Sequence, residues 1–228
     1  GASGLDGINP TNPYKLTNDA PEQIINLLQK YPGEVSILAV GPLTNIAAAI
    51  TLNRQAMCLA KEIVIMGGAF SVPGNKNRVA EFNIFVDPEA AAIVLDLPVR
   101  KVFVPLDACN DIQLTLKDFA AITNSTIRKA LLKMCTPYIT NLKSDMDARG
   151  ALMYDALAAF YVCNQALCQS RSMNIQIETK GQFTRGMTII DQRPVPDRFP
   201  INSEIVTNIP EKQFVQSFTK TLSNYKKS

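Results

Sequence analysis

Histidine is absent from all 228 residues, and so is tryptophan. Without histidine the chain lacks the commonest general acid–base, any Ser-His or Cys-His nucleophile pair, and the commonest transition-metal ligand. Catalysis would have to run on carboxylates, tyrosine, lysine or a hard metal held by oxygen. The five cysteines, Cys58, Cys109, Cys135, Cys163 and Cys168, show no C-x-x-C spacing. That argues against zinc and for buried free thiols, with Cys163 and Cys168 open to pairing if the protein is secreted. No apolar run approaches the roughly 20 residues of a bilayer span, so no membrane association is expected. The net charge is only +3, and no Lys/Arg stripe with interleaved aromatics is present, so no nucleic-acid partner is expected. Neither G-x-G-x-x-G nor a P-loop occurs, which argues against a nucleotide-binding doubly wound domain. Asn124-Ser125-Thr126 is a glycosylation sequon, a triplet that often arises by chance.

What is present is organised around Ile63–Ala92. Ile63-Val-Ile-Met66 is a short apolar run closed by Gly67-Gly68, as expected of an interior parallel strand. Asp87-Pro88-Glu89 reads as a helix start, with Asp at the N-cap and Pro at the first helical position. Between them Glu81 and Asn83 stand two apart. In an extended segment that spacing puts both on one face and Phe82 on the other, an arrangement suited to a polyhydroxylated ligand or to a merely solvated strand.

Gly1-Ala-Ser-Gly-Leu-Asp-Gly7, Asn9-Pro10 and Asn12-Pro13 are loop composition, as if the chain begins within a larger fold. Asp19-Ala-Pro-Glu22 predicts a capping box opening a helix that Pro32-Gly33 ends. A strand is expected over Val35–Val40, then a helix with Pro42 at its first position, then the Ile63–Met66 strand. The Asp87 helix and a strand from Lys101 to Pro105 follow. This alternation predicts a parallel α/β sheet with right-handed crossovers. Ligands of such sheets lie beyond the strand carboxyl ends, which makes Val40-Gly41, Met66-Gly67-Gly68 and Pro105-Leu106-Asp107 the candidate walls. Two helices broken near Thr123-Asn124 come next. A helix over Ala151–Cys163 follows, apolar except for Asp155, and an ionised carboxylate there needs a partner or a metal unless it sits at an exposed first turn. Strands near Ile175–Ile177, Met187–Ile190 and Ser203–Thr207, and a helix over Pro210–Leu222, complete the chain. No linker divides it, so one domain over residues 1–228 is expected.

Several motifs, taken together, resemble the inosine-uridine preferring nucleoside hydrolases. Residues 1–7 are similar to that family's HG-x-x-G-L-D-G turn, and Val40-Gly-Pro-Leu-Thr-Asn-Ile-Ala47 to its GPLTN segment. Met66-Gly-Gly68, Ala80-Glu-Phe-Asn83 and Asp87-Pro-Glu-Ala-Ala91 match its middle motifs. Val104-Pro-Leu-Asp107, Tyr154-Asp-Ala-Leu-Ala158 and Arg185-Gly-Met-Thr-Ile-Ile-Asp191 follow in family order.

The resemblance implies an α/β fold, a mostly parallel central sheet with helices on both faces, here without its first βαβ unit. It implies hydrolysis of the N-glycosidic bond of ribonucleosides to base and ribose through an oxocarbenium-like transition state. A Ca²⁺ ion would hold the attacking water, with Asp155 and the backbone carbonyl of Val40 as ligands. Asn75, Glu81 and Asn83 would hold ribose hydroxyls, with Met66 against the sugar. Tyr154 stands where many members have a histidine that protonates the leaving base, and Cys109-Asn110 where Thr-His is common. A phenol is the poorer acid at neutral pH. The family's D-x-D-x-x-x-D-D motif is absent, so the chain reads as lacking its N-terminal metal-binding segment and as inactive alone. A nucleoside- or ribose-binding protein without catalysis is the second reading. The family also implies a homodimer or homotetramer. Localisation stays open: the cytoplasm is favoured, and secretion is not excluded while the true N-terminus is missing.

Overall fold

β-Branched and apolar residues make the strands at the centre of this chain, and glycine, proline or asparagine ends them. The computed structural model describes residues 19–146, 148–194 and 199–226. Its elements begin with α1 (Ala20–Lys30), β1 (Ser36–Ala39), α2 (Thr44–Leu52), α3 (Arg54–Met57) and β2 (Glu62–Met66). Next come α4 (Phe82–Val86), α5 (Pro88–Leu95), β3 (Lys101–Val104), α6 (Leu106–Cys109) and β4 (Gln113–Leu114). Then follow α7 (Leu116–Ala120), α8 (Ser125–Met146), β5 (Ala151–Leu152), α9 (Tyr154–Cys163) and β6 (Gln169–Met173). The last are β7 (Gln176–Ile177), β8 (Thr188–Ile189), β9 (Ser203–Asn208) and α10 (Glu211–Asn224).

The described residues divide into two compact units, one over 19–109 and 157–209, the other over 110–156 and 210–226. Both are discontinuous in sequence, so no single linker separates them.

The first unit holds a five-stranded sheet in the order β1-β2-β3-β9-β6. β1, β2, β3 and β9 run parallel, and β6 lies antiparallel to β9. The fold is thus the expected α/β type, with a mostly parallel central sheet and helices around it. Every residue of β2 and of β3 is buried, as befits interior strands. Ile65 and Phe103, paired in register, pack in a core with Leu28, Leu43, Ile46, Met57, Ile84 and Val94.

At the amino end of this sheet a polar clasp joins the strands. Glu62, 2% exposed, accepts hydrogen bonds from Ser36 Oγ (2.9 Å) and Gln165 Nε2 (2.8 Å) and pairs with Arg100. The same guanidinium holds Glu204 of β9 through Nε (2.8 Å) and Nη2 (3.0 Å) and reaches the hydroxyl of Tyr161 (3.3 Å). Arg100 keeps the Glu204 carboxyl below its usual pKa.

Four local expectations change. Asp19 caps α1 without a side-chain bond to its first turn; its carboxylate instead accepts from Gln23 Nε2 (3.1 Å). α2 starts at Thr44, so Pro42 precedes the helix rather than opening it. Ala151-Leu152 leaves the expected helix to pair with Gln113-Leu114, and α9 starts at Tyr154. Glu81 to Asn83 is not extended: Phe82–Val86 is a helix with Glu81 as its N-cap. The loop expected over residues 1–7, and that around Asn9-Pro10 and Asn12-Pro13, lie outside the described residues.

In the second unit the break near Thr123-Asn124 falls between α7 and α8 as expected. The sequon residue Asn124 caps α8, its Oδ1 accepting from Ile127 N (3.2 Å), while its Nδ2 donates to Tyr225 O (2.9 Å). Phe119, Phe214 and Phe218 form the aromatic contact between α7 and α10.

Arg100→Met leaves the buried Glu62 carboxylate without its cation and should lower stability by about 3 kcal/mol. Urea unfolding measures this, and the Arg100→Met/Glu62→Met double variant should recover most of the loss. Equal stability of the single variant and wild type would show the clasp to be energetically idle.

Candidate active site

At the opposite, carboxyl end of the sheet the backbone past Met66 outruns the strand ladder. Gly67 N still donates to Val104 O (3.2 Å) and Gly68 O accepts from Leu106 N (3.0 Å). Gly68 then takes a φ of +90°, a left-handed turn that glycine tolerates without cost from a side chain. From there side chains take over the backbone's hydrogen bonds, because buried amides and carbonyls are costly to leave unmet.

Glu81 is the first of these. Its carboxylate accepts from Gly68 N (3.3 Å), Asn83 N (2.9 Å) and Ile84 N (3.2 Å), so it caps α4 and ties that helix to the glycine turn. Burial pushes its pKa above 4.5, against the lowering effect of these same backbone bonds. Asn83, buried, donates through Nδ2 to Met66 O (3.0 Å) and Met66 Sδ (3.3 Å). Thr188 of β8 both accepts from Ala69 N (3.0 Å) and donates to Ala69 O (2.8 Å). Asp107, just past β3, accepts from Phe70 N (2.9 Å) and Ser71 N (2.7 Å).

The loop that follows is closed on itself. Lys76 N donates to Ala80 O (3.1 Å), and Asn77 Oδ1 accepts from Val79 N (2.9 Å) and Ala80 N (2.7 Å). A Cβ on Gly74 would run into the Ala80 backbone, so this crossing needs glycine. Asn75, exposed, accepts from Phe82 N (2.8 Å).

Met66, Asn75, Glu81 and Asn83 are thus brought together in one unit, around one strand end. Phe82 lies between the two buried polar residues and is 48% exposed. The extended segment read from the spacing is replaced by a helix N-terminus, in which the Glu81 carboxylate accepts from the Asn83 amide and the Asn83 side chain turns to Met66. Val40, also in this unit, follows β1 and is 43% exposed. Tyr154 and Asp155 belong to the other unit, where the Tyr154 hydroxyl donates to Asn110 Oδ1 (3.0 Å). Asp155 is exposed in the first turn of α9, a position where the helix dipole favours a carboxylate. It is therefore not an ion enclosed in an apolar helix, although partial desolvation raises its pKa above 3.8. The sequence reading placed Asp107 on a candidate wall without giving it a partner, and gave no role to Thr188, whose only signal was its place in the Thr-Ile-Ile motif.

The family model described as inosine-uridine preferring nucleoside hydrolase matches residues 1–216. The chain belongs to this family. It is 33% identical to the pyrimidine-specific ribonucleoside hydrolase RihA of Salmonella newport (strain SL254), over 99% of this chain and 73% of that protein. Among solved structures it is similar to the plant nucleoside hydrolase PpNRh1, with a TM-score of 0.89 and 26% identity, over 99% of this chain and 74% of that one. It is also similar to the purine-preferring ribonucleoside hydrolase from Gardnerella vaginalis, with a TM-score of 0.85 and 28% identity, over 96% of this chain and 70% of that one.

Calcium, which the nucleoside hydrolase resemblance implies, was tested against the donor set. A hard dication takes about six to eight oxygen ligands. Among the described residues no group of three or more His, Cys, Asp or Glu converges. Asp155 and the Val40 carbonyl are two donors from different units, so the described residues do not by themselves fit a calcium cage.

The raised pKa of Glu81 sets a pH trend. The folded state holds this proton more tightly than the unfolded one, so the associated stability is present below about pH 4.5 and falls as pH rises above it. Asp155 contributes with the same sign from about pH 3.8 upward. Unfolding free energy should therefore decline as pH rises above 4.5 through the raised folded-state pKa of Glu81, and Glu81→Gln should flatten that slope. A slope unchanged in the variant would assign it to other groups.

Proposed function

We propose that the full-length protein hydrolyses the N-glycosidic bond of ribonucleosides, releasing free base and ribose. The observation that carries this reading is the nucleoside hydrolase match across residues 1–216. Cleavage leaves a ribosyl cation, so the site needs anionic groups near the ring and firm hold on the hydroxyls. In this reading Glu81, Asn83 and Asn75 hold ribose hydroxyls and Met66 packs against the sugar. A carboxylate with three backbone bonds still has room for another donor. Relatives named for pyrimidine and for purine nucleosides have the ribose in common, so the sugar wall is the shared element and the base preference is set elsewhere.

Tyr154 is proposed to contact the leaving base. Its proton already goes to Asn110 Oδ1, which favours a contact or acceptor role over that of a general acid. Asp155 and the Val40 carbonyl are proposed as the chain's share of the Ca²⁺ ligands, the remaining oxygens coming from outside the described residues. The 228 residues alone are proposed to turn over nothing measurable, since only two donors of that set are assigned to them. The second reading, a ribose- or nucleoside-binding protein without catalysis, draws on how fully Glu81 is engaged by backbone amides. Assembly as a homodimer or homotetramer and a cytoplasmic location are also part of the proposal; sedimentation analysis and fractionation of the native protein test them.

The test is release of ribose from inosine and uridine by the full-length protein with added calcium. Hydrolysis is expected for the wild type, and Asp155→Ala should abolish its calcium dependence; unchanged turnover in that variant would remove Asp155 from the ligand set. Nucleoside binding without any ribose release would favour the second reading. Tyr154→Phe should lower kcat by less than the roughly 100-fold that a general acid typically supplies. A larger loss would make the phenol the acid. Tyr154→His should raise purine nucleoside rates more than pyrimidine ones.

A further inference from the structure

We propose that Asp107 is a positioning residue for ribose recognition, acting through the backbone of Phe70 and Ser71 rather than on the substrate. The inference rests on the nucleoside hydrolase reading for the identity of the ligand, but its geometry stands apart from it. β2 and β3 are adjacent and parallel, with Met66 opposite Val104 in register. Their carboxyl ends therefore emerge side by side, and Asp107 stands three residues past one while Phe70 stands four past the other.

Each carboxylate oxygen is matched to one amide: Oδ2 to Phe70 N at 2.9 Å and Oδ1 to Ser71 N at 2.7 Å. Two consecutive amides on one carboxylate fix the direction of the chain as well as its place. Bonds from backbone amides to an ionised acceptor are about twice as strong as neutral ones. The segment so fixed leads directly into Gly74-Asn75, and Asn75 in turn accepts from Phe82 N, between Glu81 and Asn83. Asp107 thus stands at the start of the loop whose far end is tied to the proposed sugar wall. Its own oxygens are engaged by the loop amides, which is why it is assigned to the loop and not to the ligand.

Thr188 fixes Ala69 from the opposite side. Past the buried turn, Asp107 holds the Phe70 and Ser71 amides, while Gln192 Nε2 donates to Phe70 O (3.4 Å) and to the hydroxyl of the exposed Ser71 (3.2 Å). Without Asp107, the loop keeps its anchors up to Ala69 and from Gly74 onward and the two Gln192 bonds, but both amide bonds that set the chain's direction are lost. The predicted consequence is a displaced Asn75 in a protein that still folds.

The experiment uses the full-length protein and its Asp107→Ala and Asp107→Asn variants. Three quantities are read: ribose affinity by titration, kcat and KM for uridine and inosine, and hydrogen exchange at the Phe70 and Ser71 amides. In Asp107→Ala, ribose affinity should weaken and KM rise about 10- to 100-fold, the scale expected of a misplacement near 1 Å. kcat should change less than KM, and both amides should exchange faster. Asp107→Asn keeps one carbonyl acceptor and should fall between, with one amide still protected; it also serves if the alanine variant does not fold. Faster exchange with unchanged ribose affinity and KM would make Asp107 structural only and overturn the proposal. So would a wild type that does not bind ribose. If the wild type binds ribose, loses it in the variants and hydrolyses no nucleoside, the positioning role holds and the hydrolase reading fails.

Discussion

Beyond Met66 the most buried strand of the sheet runs out of partners, and everything at that end follows from how its backbone is satisfied. A loop crossing a buried strand end carries amides and carbonyls that water does not reach freely. Here Glu81 and Asn83, Asp107 and Thr188 meet them from three separate parts of the sequence. The residues proposed to hold the sugar are therefore also structural groups. Glu81 cannot be treated as a free ligand-seeking carboxylate, because removing it would also uncap α4 and release the Gly68 turn. This coupling explains why a polar pair can persist at near-complete burial.

Much of the sheet was legible from local pattern. Ile63–Met66 and Lys101–Val104 are apolar runs bounded by turn residues, and interior parallel strands leave that trace. The Asp87-Pro88 start was legible for a similar reason, since N-cap and first-turn chemistry is local; Asp87 does accept from Ala90 N. Glu81 to Asn83 was misread because period-two spacing fits an extended segment, and only the fold reveals three amides within reach of one carboxylate. β6 left little signal. Gln169-Ser-Arg-Ser-Met173 is mostly exposed and polar, and only its pairing with β9 makes it a strand.

For the site, the identities of Met66, Asn75, Glu81 and Asn83 came from motif likeness, while their mutual support came only from coordinates. The partners of Asp107 and Thr188 were illegible in sequence because they are backbone atoms 36 and 119 residues away. Asp155 shows the converse. Helix composition suggested an enclosed charge, but the first turn of α9 is open to solvent, so composition around a residue does not fix its burial.

The Glu62–Arg100–Glu204 clasp lies at the other end of the same strands from Glu81 and Asp107. Each strand is about five residues long, so the two ends are separated by roughly 17 Å of continuous backbone. That separation partitions mutational tolerance. Residues in the loops beyond the carboxyl ends can change while the strands' order and register remain latched at the amino end. The clasp would then act as a buffer: it lets the loops at the far end vary without renegotiating the fold each time.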